Sequence, residues 1–173
     1  MTPSTTTLHI AHWIEQRLDV SLGFRLPASR LYGIVVNDPL ALCEEHGQAG
    51  RYSFLEEGPD VYAMLAGPSG QLARSFDAAA LVSTGWAAPM LDDGTMTHRA
   101  SRHPLRRRVR AVAVIDNDGI ASVLRFEDDP TVAIGEARRG IGNIVDAMEA
   151  MWYSEHAEIV NLRTTRGGCS RRP

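Results

Sequence analysis

The run RRRVRAVAVIDNDGIASVLRFEDD, residues 106–129, limits the fold more than any other part of the chain. Two apolar, β-branched segments flank Asn117, Asp118 and Gly119, the pattern of a β-hairpin with a short polar loop. A three-residue loop in which Gly119 supplies a positive φ pairs Asp116 with Ile120. Val114 then faces Ser122 and Val112 faces Leu124. In the same register Arg110 lies across from Phe126, and Arg108 across from Asp128. Val109, Ala111, Ala113 and Ile115 occupy the opposite face. A chain holding this hairpin has to contain a sheet that is at least partly antiparallel.

The flanking sequence supplies partners for that hairpin. Near the N-terminus, Ile10, Trp13, Ile14 and Leu18 recur at helical spacing; Thr6 or Thr7 can cap this helix and Gly23 can stop it. Leu31 to Val36 is a short β-branched run and reads as a strand. Asp38 before Pro39 is an N-cap followed by proline at the first helical position, which predicts a short helix from Pro39 to His46 ending at Gly47. The segments DVYAMLAG (60–67) and AALVSTGWA (79–87) read as two further strands, separated by the turn PSGQ (68–71) and by ARSFDA, a loop or a helical turn. They are mostly apolar without strict alternation, the pattern of strands covered on both faces. From Ala88 to Leu105 there is no periodicity, and structureless loops of this length are usually functional or disordered. Ile141, Ile144, Val145, Met148 and Trp152 form the apolar stripe of a final helix, expected from about Gly142 to His156. Residues 161–173 read as a basic, disordered tail.

The resulting order predicts a single α+β domain over residues 1–160. Its largely antiparallel sheet, of about five strands, packs against an N-terminal and a C-terminal amphipathic helix. Profilin-like and GAF-like sensor folds share this general order, an analogy of fold that carries no function.

Charge is distributed unevenly. Residues 1–95 hold five arginines against eleven acidic residues, whereas residues 96–173 hold thirteen against ten. Thr97 to Arg110, THRASRHPLRRRVR, carries six arginines, two histidines and no carboxylate. Such a stretch either grips an external anion or finds its counter-charges inside the protein. Strand periodicity puts Arg106, Arg108 and Arg110 on one face. The hairpin register offers Arg108 and Arg110 internal partners in the acidic strand after the loop and in Phe126. Arg99, Arg102 and Arg106, with His98 and His103, are left as the candidate anion-binding residues. Single-strand nucleic-acid binders interleave aromatics with charge, and this stretch contains none, so nucleic acid ranks behind an acidic protein partner or a small acidic ligand.

Other chemistries find little support. All 18 basic residues are arginine, which fits a GC-rich bacterial genome and removes Schiff-base, P-loop and kinase lysines. The net charge of −3 argues against a wholly basic nucleic-acid-binding surface. Cys43 and Cys169 form no disulfide framework, the default being a reduced, cytoplasmic protein. Near Cys43, His46 is in reach, but Glu44 and Glu45 would raise the thiol pKa, the wrong direction for a nucleophile. His98 with His103, and His9 with His12, lack the thiolate pairs or the H-E-x-x-H spacing of a zinc site, so no metal and no cofactor are expected. Arg138, Arg139, Gly140 and Gly142 resemble a phosphate loop only loosely. Neither a signal peptide nor a membrane span is legible. A sheet with two edges needs protection, which predicts a homodimer. The sequence therefore reads best as a non-enzymatic binding or regulatory domain that uses residues 88–110. A small enzyme for a phosphate or carboxylate substrate, with His98 or His103 as acid or base, is the alternative.

Overall fold

A computed structural model describes residues 5–37, 50–89, 99–136 and 143–154. The chain is an α+β domain in which one antiparallel sheet is covered on both faces. Helix α1 (Thr5–Leu22) precedes strands β1 (Ser29–Val36) and β2 (Gly50–Gly58). Two short helices follow, α2 (Val61–Ala66) and α3 (Pro68–Ala73). Then come β3 (Ala78–Ala87), β4 (Arg107–Asp116), β5 (Gly119–Phe126), β6 (Asp129–Glu136) and α4 (Asn143–Trp152). The strands lie in the order β2-β1-β3-β4-β5-β6. Because β2 and β3 both run antiparallel to β1, they are parallel to each other and the chain must cross β1 between them. Helices α2 and α3 make that crossover; β3 to β6 then follow as a simple meander.

Alternation along the central strands builds two cores. Ala78, Ala80 and Val82 of β3, with Val112, Val114 and Val123, meet Ile10, Trp13, Ile14 and Leu18 of α1. Ala79, Leu81, Ile115 and Ile120 face the other way, onto Met64 and Leu65 of α2 and Met148, Met151 and Trp152 of α4. The run of alanines in β3 keeps both helical layers close to the sheet. Helix α1 ends as expected at Gly23, whose φ of 70° is the left-handed conformation of a helix stop. The final helix docks through Val145, Met148, Met151 and Trp152, while Ile144 is 38% exposed. Met151 thus takes the place expected of Ile144.

Four sequence expectations are corrected. The expected turn PSGQ (68–71) is the first part of helix α3, with Pro68 at its start. Residues 60–67 are not a strand: the Asp60 carboxylate accepts the Tyr62 and Ala63 N–H groups at 3.0 and 3.1 Å, capping α2. Strands β2 and β6 escaped notice because both are edges. β2 keeps several side chains in solvent, and Pro130, in the second position of β6, is tolerated only on such an edge. The hairpin register is one residue shorter than predicted. Asp116 pairs with Gly119, and Val109, not Arg110, lies across from Phe126. The cause is the Asp116 carboxylate. It accepts the Asp118 and Gly119 N–H groups at 2.8 and 3.1 Å, closing a two-residue loop. Thr7 of α1 donates its hydroxyl to the same carboxylate at 2.9 Å, tying the hairpin to the first helix. The expected Pro39–His46 helix and the 161–173 tail lie outside the described residues.

Candidate functional site

Strand β4 sorts the arginine stretch by alternation. Arg110 shares the α1 side of the sheet with Val112 and Val114, and there it meets a carboxylate that the sequence did not advertise. Glu15, fully buried on α1, accepts from Arg110 Nη2 at 2.6 Å and from Arg125 Nε and Nη2 at 2.6 and 2.7 Å. Arg110 also pairs with Asp19 and donates to the Gly23 carbonyl at the end of α1. Arg110 and Arg125 are cross-strand neighbours, so Glu15 bridges two guanidiniums that would otherwise repel. Burial alone would push the Glu15 carboxyl up; the hydrogen bonds and charges of Arg125 and Arg110 outweigh it and hold its pKa below the ordinary value. This cluster fastens α1 to the sheet. The helical spacing Ala11–Glu15–Leu18 is the signal that places Glu15 on the buried face.

Arg107 points to the opposite face. It grips Asp128 bidentately at 2.6 and 2.9 Å and lies 4.0 Å from the centre of the Phe126 ring. The one-residue change of register transfers to Arg107 both partners expected for Arg108 and Arg110.

What remains is an arginine patch beyond the end of α1. Trp86, near the end of β3, pairs with Arg108 across the β3–β4 ladder. The guanidinium carbons of Arg106 and Arg108 each lie 4.9 Å from the centre of the Trp86 ring. Trp86 is 38% exposed. Among the described residues no carboxylate pairs with Arg106 or Arg108. Arg99 and Arg102, at either side of the 3-10 turn Ala100–Arg102, are exposed, and this turn packs against β3. They too lack a carboxylate partner among the described residues. His103 is half-buried, and its Nδ1 accepts the Leu105 N–H at 3.0 Å, which fixes the ring to its own turn. His98 lies outside the described residues, as do Cys43, His46 and the glycines at 140 and 142.

The structure thus brings Arg106 together with Arg108, and adds Trp86, twenty residues away in sequence. Aromatic and guanidinium groups in this arrangement attract one another, and the guanidinium N–H forks can bind carboxylate or phosphate oxygens. No group of three His, Cys, Asp or Glu residues able to hold a metal occurs among the described residues. No described helix is long and apolar enough to cross a membrane. No family model, curated protein or solved structure matches the chain.

Proposed function

We propose that this chain is a non-enzymatic binding domain that holds an acidic protein segment, or a small acidic ligand, against Trp86 with Arg99, Arg102, Arg106 and Arg108. The observation that carries the reading is the pair of guanidiniums gathered over one exposed indole without a described counter-charge. Two like charges held on one ring repel, and a bridging anion relieves that repulsion while accepting their hydrogen bonds. Arg108 lies in β4 and Arg106 in the turn just before it, so two guanidiniums from one short segment can reach neighbouring carboxylates of an acidic peptide. A hexaglutamate peptide should quench tryptophan fluorescence saturably at 0.15 M salt, and more weakly as salt rises. Absence of saturable quenching at low salt would rule this reading out.

Trp86 also supplies the aromatic that the arginine stretch lacks, which favours single-stranded nucleic acid as a second reading. An oligothymidylate that binds more tightly than the peptide at 0.15 M salt would promote it. Self-association belongs to the same proposal. Among the described residues β2 is an edge strand, and antiparallel pairing of two copies about Phe54 would set Arg51 of one opposite Glu57 of the other. A reducing, cytoplasmic setting fits the two cysteines.

A further inference from the structure

A cleft of about 440 Å³ opens between α2, α3 and α4, on the face of the sheet away from α1. We infer that it binds a small amphipathic carboxylate, an acyl or aryl chain with one acidic head, and that Arg74 receives the head. The size falls within the range of small-molecule sites. Its floor is apolar: Leu65 and Met151 are buried there, and Ala147 and Ala150 of α4 leave room where larger side chains would close the gap. Gly70 is buried so tightly against the Leu65 carbonyl that no Cβ fits, which locks α3 onto α2 and sets Arg74 at the rim. Its Nη1 donates to Ser154 Oγ at 2.6 Å, so the guanidinium is held toward α4. Among the described residues Arg74 has no carboxylate partner. Water over the apolar floor is displaced favourably by a hydrocarbon chain, and a carboxylate head completes a charge-assisted pair with Arg74. This site is independent of the Trp86 patch.

Calorimetric titration with decanoate tests the assignment, with decanol as the neutral control. Decanoate should bind with a stoichiometry of one. Arg74→Gln should weaken decanoate about tenfold or more while leaving decanol unchanged. Ala150→Phe, a change at an exposed helix position, should abolish both, with the urea midpoint showing that the fold is retained. Equal loss of decanoate and decanol in Arg74→Gln would contradict the role of Arg74. Failure of the parent protein to bind decanoate would overturn the site, as would an Ala150→Phe variant that binds normally. If either variant instead changes the sedimentation coefficient, the cleft is a contact between copies and not a ligand site.

Discussion

Arg108 and Arg110 stand two residues apart on one strand face and differ completely in environment. Arg110 is 1% exposed and is held by Glu15, Asp19 and the end of α1; Arg108 lies against an exposed indole with no described carboxylate. Arg110→Ala should therefore cost roughly 3–5 kcal/mol, the usual result of stripping one partner from a buried ion pair and leaving Glu15 under-compensated. Urea denaturation of the variant checks this. Arg99→Ala and Arg102→Ala should change stability by no more than about half a kcal/mol, as exposed positions do. The buried carboxylates give a pH signature. Glu15 has a folded pKa below its ordinary value of 4.5. Its stabilisation is therefore complete above that value and is lost as pH falls through the lower folded pKa. Asp116 shifts upward, through burial opposed by hydrogen bonds from Thr7 and the turn, so it acts in the opposite sense and gains from protonation. Glu15→Gln should remove the first contribution alone, flattening the fall of the urea midpoint below about pH 4.5. A variant with the same acid slope as the parent would show that Glu15 is not the linked group.

At the level of elements, α4 closes the core on the face of the sheet away from α1. Met148 of α4 is fully buried against the sheet, and Met148→Ala should cost roughly 2–5 kcal/mol by cavity formation. A loss below about half a kcal/mol would show this face to be exposed in solution. The hairpin, the first helix and the last were legible because their periodicity is strong, and Gly23 stops α1 as its sequence signals; Thr7, read as a possible cap, lies inside α1 and bonds Asp116 instead. The register was not legible, since it depends on the Asp116 side chain accepting two turn N–H groups instead of leaving Gly119 to close a longer loop. Nor was α2, where a six-residue apolar run carries no period and only Asp60 reveals the cap. The edge strand β2 was hidden because it keeps several side chains in solvent, and β6 because its second residue is Pro130.

For the whole molecule, the site was half legible. The density of arginine in Thr97–Arg110 marked it, and Arg99, Arg102 and Arg106 are exposed as expected. Trp86 was invisible because only the β3–β4 register places it beside Arg108; Glu15 carries the spacing of a buried position, but a lone acid in an amphipathic helix reads as solvated. At the β2 edge, exposed Arg51 and half-buried Glu57 allow charge-matched pairing of two copies. Sedimentation at tens of micromolar should show a dimer, and a strictly monomeric protein would remove that part of the account. The central claim is a division of labour within one arginine-rich stretch: Arg110 holds the fold, and Arg106 with Arg108 meets an anion. The most direct measurement is the affinity of the double variant Arg106→Ala, Arg108→Ala for hexaglutamate at 0.15 M salt, taken together with its urea midpoint. The account predicts binding weakened about tenfold or more, with the midpoint nearly unchanged. Unaltered binding in a stably folded variant would contradict it.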